Sequence, residues 1–509
     1  PSVECRCVVA GSVAVEQHDD AGRWRLCWAR QPNRAFPARS GILADFPDLV
    51  EREVALGIRP GQPFLLMADG RPDVDVLEFF GSASFQSLAP GSQESYAPDI
   101  QLFLSFLSVQ DVNWRIATFE HLADYEFWRR RDQQNPNRVG ASKVSRDLAA
   151  IKKFYDWQQW RGNVTASPVA MHKSSSTGDL VRTDLQPKAV RSVQLKWLTP
   201  RAYKRWRDVG LGGYNGDGRR DATWRGRNDG RNLAFAEALW SSGLRLREAG
   251  TLVLGEIPSV DNQVRYAKAR VGQAVAKGRG RDFWISAAAL KSIDNYVIST
   301  RAAAVHRARS EGRYDALTDI KVVDMVDNHR RVHFTSREGT KGAVPLDSLD
   351  WRDRLSFYIT TDRGLEPWMV WLSEAGLPLP YRTWEAIFST ANERCQTLGV
   401  DIHCHPHMLR HSFALRMLIT LIYAHERKMG ITPAERREYR YIFGDPWVLV
   451  QTLLGHANLE TTRNCYLEPV SGLQVDLFLN DDAAEDASIA DFITHVAATA
   501  PGIIDTEAQ

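Results

Sequence analysis

Four short stretches combine side chains that could do chemistry on a phosphate. In Gly243-Leu244-Arg245, an apolar helix runs into a glycine and a new helix starts with an arginine near its first turn. A guanidinium there stands beside unpaired backbone N–H groups, a suitable place for an anion. In Lys277-Gly278-Arg279-Gly280-Arg281, two alternating segments flank a glycine-rich turn, so a β-hairpin presenting Lys277 and Arg279 is expected. In His407-Met408-Leu409-Arg410, Pro406 is placed to open a helix, which sets His407 and Arg410 three apart on one face. A proton-transfer group and a fixed cation would then point the same way. In Leu454-Gly455-His456, a helix ends at Gly455, and a second helix follows that carries Thr461, Thr462 and Tyr466.

A rival use of the same residues is metal binding. His403, His405 and His407 alternate, with Cys404 between, and on a strand they would share one face as zinc ligands do. Pro406 and the helical pattern after it argue against a strand, and no carboxylate partner accompanies the three. The expectation is no metal.

These elements sit in a chain of 509 residues, long enough for several cores. Apolar residues make up 44%, charged residues 25%, and the net charge is +2, so charge distribution rather than total must decide the partner. Residues 1–90 hold nine Arg, no Lys and twelve Asp or Glu, a slightly acidic balance. They read as an extra N-terminal domain of unknown role, strand-like at Arg23–Arg30 and helical at Asp48–Gly57. Residues 91–170 read as helices, with Tyr96, Ile100, Phe103, Leu104 and Leu107 at helical spacing. Basic residues gather on these helices: Arg129, Arg130, Arg131, Lys143, Arg146, Lys152 and Lys153. Several basic helices together favour phosphate contact, and we assign these seven, with Arg279 and Arg281, to DNA. A linker is expected at 171–196, a large domain at 197–470, and a tail at 471–509.

No apolar run is long enough for a membrane span, and the start shows no apolar signal core. The six cysteines (Cys5, Cys7, Cys27, Cys395, Cys404, Cys465) form neither a disulfide framework nor a zinc ribbon, which fits a reducing cytoplasm.

Taken in order, Arg245, Lys277, His407-x-x-Arg410, Leu454-Gly455-His456, Thr461-Thr462 and Tyr466 make the chain resemble the tyrosine recombinase or phage integrase family. The resemblance spans roughly residues 95–470. It implies a mainly α fold with a small β-sheet: a helical, SAM-like core-binding domain followed by an α+β catalytic domain. It implies DNA cleavage and rejoining through a 3′-phosphotyrosine. Arg245, Lys277, His407, Arg410 and His456 match the family's catalytic positions, Tyr466 its nucleophile, and Glu248 a supporting acidic residue. No cofactor is implied. The implied partner is double-stranded DNA carrying recombination sites, bound by a homotetramer, with accessory proteins admissible and no membrane. The setting would be the bacterial cytoplasm, at the nucleoid. Two family relatives with other outcomes are a DNA-binding protein that has lost catalysis and a type IB topoisomerase. Filled catalytic positions speak against the first, and the helical segment ahead of the catalytic domain against the second.

Two departures stand out. Tyr466 lies one residue further from His456 than is usual in the family. The stretch between Lys277 and His407 is unusually long, and an insertion is expected around 301–350. In the tail, Ile489, Phe492, Ile493 and Val496 follow the spacing of an amphipathic helix. The resemblance implies that this helix docks on a neighbouring subunit, across a flexible acidic stretch, Asp481 to Asp486.

Overall fold

The computed structural model describes residues 23–29, 55, 57–59, 61–169, 171–173, 180–183, 196–226, 228–259, 264–276, 279–426, 445–455, 458–459, 462–463 and 503–504. Lys277, His456 and Tyr466 lie outside the described residues, as do Ile489, Phe492, Ile493 and Val496. The chain is mainly helical with small sheets and divides into two compact units, 1–191 and 192–509.

In the first unit, strands β1 (Arg25–Trp28) and β2 (Pro63–Leu66) pair antiparallel. Helices α1 (Val74–Gly81), α2 (Pro90–Val109), α3 (Phe119–Arg130) and α4 (Ala141–Arg161) follow. Asp73 caps α1 by accepting from the N–H groups of Asp75 and Val76, at 3.0 and 3.3 Å. The same carboxylate holds Arg115 at 2.9 Å and the Trp114 indole N–H at 3.1 Å, tying α1 to the loop before α3. Trp24, Leu65, Phe79 and Phe80 share one buried core with Phe103, Tyr125, Phe154 and Tyr155. Phe79 meets Phe154 edge-on, with ring centroids 5.2 Å apart, as aromatic quadrupoles favour.

This core corrects the boundary expected near residue 90. The described residues before it do not form a body of their own; they complete the core of the helices after it. In the stretch expected to be a linker, β3 (Met171–Lys173) and β4 (Leu180–Thr183) pair as a hairpin.

In the second unit, α5 (Asp229–Ser242) lies at the centre of a core that includes Trp206, Phe235, Trp371, Trp384 and Leu409. Phe235 stacks on Trp384 with centroids 3.6 Å apart. Helix α6 (Leu246–Gly250) follows α5 after a sharp bend. Strands β6 (Tyr266–Val271) and β7 (Arg281–Ser286) form the expected hairpin. Helices α7 (Ala287–Tyr296) and α8 (Ala302–Ser310) come next, and later α9 (Thr383–Thr397), α10 (Pro406–Glu426) and α11 (Pro446–Leu454). Pro446 stands at the first turn of α11, where its missing N–H costs nothing.

Between α8 and α9 stands a five-stranded sheet in the order β10-β9-β8-β11-β12. Its strands are β8 (Lys321–Val326), β9 (Arg331–Ser336), β10 (Lys341–Pro345), β11 (Phe357–Thr361) and β12 (Gly364–Pro367). The stretch 301–350, expected to be an insertion, holds α8 and the first three strands of this sheet, which runs on to Pro367. Arg301 is an anchor for it. The side chain is 2% exposed and donates to the carbonyls of Pro367, Met369 and Val370. The sheet's small core holds Val332, Leu346, Phe357 and Trp368 together with Val253. Arg354 makes a bidentate, fully buried pair with Glu256 at 2.6 and 2.9 Å, fastening the sheet's base to the loop after α6.

Strand β5 (Trp197–Leu198) packs on α10 and is paired, in parallel, by β13 (Ile503–Ile504) of the same chain. This end of the tail thus returns to its own unit. Among the described residues no helix is long and apolar enough to cross a membrane.

The shared core generates a prediction. A chain starting at Ser92 keeps α3 and α4 intact but strips Phe79 and Phe80 from Phe154. Loss of one such ring costs about 3–5 kcal/mol. The truncated chain should lose its cooperative thermal transition for this unit and become protease-sensitive across 90–161. Native-like protection of those helices would show that residues 23–85 are dispensable to the core.

Candidate active site

The bend after α5 sets the first guanidinium. Gly243 ends α5 with φ +64°, and a Cβ there would lie 2.3 Å from the Phe413 ring, so only glycine serves. Two residues on, Arg245 stands at the start of α6. Its N–H donates to Glu248 Oε2 at 2.8 Å, and its Nη1 donates to Glu248 Oε1 at 2.9 Å. This is the arginine beside a helix start that the sequence suggests.

Glu248 is fully buried. Its carboxylate also receives Arg281 Nη1 at 2.8 Å and Nη2 at 2.7 Å, a bidentate pair. Burial pushes its pKa up, but Arg281, Arg410 and Arg245 outweigh it and hold the group down at about 2.

Pro406 opens α10 as expected, so His407 and Arg410 lie one turn apart. Arg410 is 1% exposed. Its Nη1 donates to the Gly243 carbonyl at 2.5 Å and its Nη2 to the Leu454 carbonyl. Arg281 Nε reaches the Leu453 carbonyl at 3.3 Å, and Arg245 Nη2 the Gly455 carbonyl at 3.4 Å. Three guanidiniums thus cap three successive carbonyls at the end of α11. Those carbonyls have no partner within the helix, and the helix dipole favours cations there. Gly455 closes α11 with φ +64°, and a Cβ would lie 2.7 Å from Arg281 Cδ. The glycine of Leu454-Gly455-His456 is therefore required both by its backbone angle and by the approach of Arg281. Beyond it, Leu459, Thr462 and Arg463 are helical, and Thr462 is buried.

His407 reaches the surface, with its ring 4.4 Å from that of His411. Desolvation by the surrounding protein, then the charges of Arg410, His405 and Arg245, push its pKa down to about 4. The ring is therefore neutral at neutral pH and able to accept a proton.

The three alternating histidines do not share a strand. Residues 401–405 are irregular, Cys404 is buried with its N–H on Asn392 Oδ1 at 2.9 Å, and His405 Nδ1 accepts the Met408 N–H at 3.2 Å. Among the described residues no group of three His, Cys, Asp or Glu is placed to hold a metal.

The residues expected on DNA divide. Arg281 is a correction: at 9% exposure it serves Glu248, not solvent. Arg129 is another, buried with Nε on Asp147 at 3.2 Å and Nη1 on the Asn137 carbonyl. Lys143 and Arg146 hold the buried Asp99, and Lys143 also holds Asp147. Arg130 and Lys152 pair along their own helices with Glu126 and Asp156. Arg131 and Arg279 are exposed, and Lys153 is half-buried. Sequence spacing shows which residues are basic. It does not show which of them an interior carboxylate claims.

Residues 83–162 match the family model described as phage integrase, N-terminal SAM-like domain. No curated protein matches the chain. Among solved structures, XerA recombinase is similar at 15% identity and a TM-score of 0.30, over 78% of this chain and 96% of that one. A structure of XerH site-specific recombinase bound to palindromic difH substrate is similar at 13% identity and a TM-score of 0.42, over 80% and 89%. The family match at 83–162 lies ahead of the motifs from Arg245 to Tyr466, on a different stretch of the chain.

Two outcomes follow from this geometry. Arg281→Ala leaves the Glu248 charge buried without its main partner and should cost about 3–5 kcal/mol of stability in urea unfolding. An unchanged midpoint, with a shallower salt dependence of DNA binding, would return Arg281 to the phosphate-contact role. In the free protein the His407 ring should remain neutral down to about pH 5 in an NMR titration referenced to His407→Gln. Its folded pKa lies below the unfolded one, so the stability it contributes is present above about 6.5 and lost as pH falls toward about 4. A titration midpoint at the ordinary 6.5 would contradict the described surroundings.

Proposed function

We propose that this protein is a site-specific tyrosine recombinase of the integrase or transposase type. It cleaves and rejoins DNA strands through a 3′-phosphotyrosine on Tyr466. One observation carries the reading. Arg245 and Arg410 converge on the end of α11, immediately before His456, with the neutral His407 beside both.

The chemistry asks for this set. In-line displacement at a phosphodiester places charge on the non-bridging oxygens. Arg245, held by Glu248 and 26% exposed, offers a preorganised donor, and Arg410, buried behind it on the Gly243 and Leu454 carbonyls, adds a fixed positive charge. The Tyr466 phenol has a pKa near 10 and needs an acceptor for its proton, a role His407 can fill. As the phenolic oxygen bonds to phosphorus, the bond to the 5′ oxygen breaks, and Lys277 gives that oxygen its proton. His456 donates a further bond to the phosphate. The phosphotyrosine ester keeps the energy of the broken bond, so a 5′ hydroxyl can reseal the strand by the reverse steps without a nucleotide cofactor.

The partner in this reading is double-stranded DNA with paired recombination sites, bound by a homotetramer. Phosphate contacts are assigned to Arg131, Lys153 and Arg279 rather than to Arg129 and Arg281, whose charges are used internally.

The test is a covalent-adduct assay on DNA carrying the boundaries of the chain's own genetic element. The wild-type protein should form an adduct that maps to Tyr466, and Tyr466→Phe should bind the same DNA but form none. Arg245→Ala and Arg410→Ala should each slow cleavage by about 10² or more, with a much smaller loss of affinity. An adduct on another tyrosine, or equal losses in binding and cleavage, would refute the assignment.

A further inference from the structure

The turn between β6 and β7 carries Lys277, and its first half is not a solvated loop. Val271, Val275 and Ala276 are all 3% exposed or less. Ala276 N–H donates to the Gly272 carbonyl at 3.1 Å. From α6, Arg247 Nε donates to the Val275 carbonyl at 2.8 Å. On the opposite side the contact comes from the inserted sheet. Ala274 N–H donates to the backbone carbonyl of Asp347 at 2.9 Å. Asp347 follows β10, and its carboxylate takes Arg270 Nε of β6 at 3.1 Å and Arg330 Nη2 at 3.2 Å. A Cβ on Gly272 would lie 2.8 Å from Asp347 Cα, so the two backbones touch only because residue 272 is glycine. The sheet behind Asp347 is itself fastened by the Arg354–Glu256 pair, and Arg330 lies 3.9 Å from Glu256.

We propose that the inserted sheet is a brace for the turn that bears Lys277, and that Asp347 is a positioning residue for the leaving-group proton transfer. The proposal rests on reading Lys277 as the group that protonates the 5′ oxygen. A proton donor works only within hydrogen-bond reach of the atom it serves. Just ahead of Lys277 the turn is held on both sides, Val275 by Arg247 of α6 and Ala274 by the Asp347 carbonyl, while Ala276 bonds back to Gly272. That anchors the turn as far as the residue before the lysine, ahead of the reaction. The carboxylate pairs of Asp347 are partly exposed, and such pairs contribute little to global stability. Loss of Asp347 should therefore show in the reaction rather than in the melt.

The test compares two DNA substrates in single-turnover cleavage by the full chain. One carries the natural bridging 5′ oxygen. The other carries sulfur there, whose thiolate leaves without a proton. Asp347→Ala should slow cleavage of the oxygen substrate by about tenfold or more, with unchanged DNA affinity and thermal midpoint. On the sulfur substrate it should return to within about twofold of wild type. Gly272→Ala, which pushes the turn away from Asp347 without touching its charge, should show the same pattern. Lys277→Ala is the reference and should be the most strongly rescued by sulfur. Equal slowing on both substrates, or no slowing on oxygen, overturns the brace while leaving the recombinase reading in place. If Lys277→Ala is itself not rescued, the lysine is not the proton donor, and the brace falls with it; an intact Tyr466 adduct in that case shows that the recombinase reading survives.

Discussion

One buried carboxylate organises the second unit. Glu248 lies in the interior, where an unpaired charge is costly, and it receives one backbone and three guanidinium donors. Through them it fixes the start of α6, the start of β7 and, by way of Arg281, the end of α11. Three guanidiniums around one carboxylate, with His407 neutral, leave two positive charges in excess. An excess cation held in place by its own neighbours is what an incoming phosphate would meet. Neutralising Glu248 would remove the reason for Arg281 to stay inside and would loosen the carbonyl caps on α11.

The two required glycines belong to the same constraint. Gly243 lets α5 turn sharply enough for Arg245 to face Glu248, and its carbonyl receives Arg410. Gly455 lets α11 end under Arg281. Neither glycine has a side chain to offer the chemistry, yet each sets where a guanidinium can point.

Much of this was legible in the chain itself. Apolar-helix-to-glycine transitions marked the ends of α5 and α11, Pro406 marked the start of α10, and alternation around a glycine-rich turn marked the β6–β7 hairpin. These are local signals, set by backbone geometry within a few residues. What was not legible depends on distant partners. Arg281 and Arg129 look like surface cations until Glu248 and Asp147 are placed beside them. The boundary near residue 90 looked real because composition changes there, whereas Phe79 and Phe154 meet across 75 residues of sequence. The polar run after Ser310 hid a sheet because its strands are short and half-exposed, with a core of only a few side chains.

The pairing of Ile503–Ile504 with Trp197–Leu198 bears on how the chain is made. A ribosome adds about 5–20 residues per second. Roughly 300 residues separate the two strands, so β5 emerges on the order of a quarter of a minute to a minute before its partner exists. Throughout that interval one edge of Trp197–Leu198 has no mate, while α10 and α11 are still being added around it. A polypeptide stalled or nicked before residue 503 would retain the Arg and His groups of the second unit but keep that edge open. Such edges recruit strands from other chains. Synthesis of Ile503–Ile504, rather than assembly of the Arg and His groups, would then be the step that seals this side of the unit.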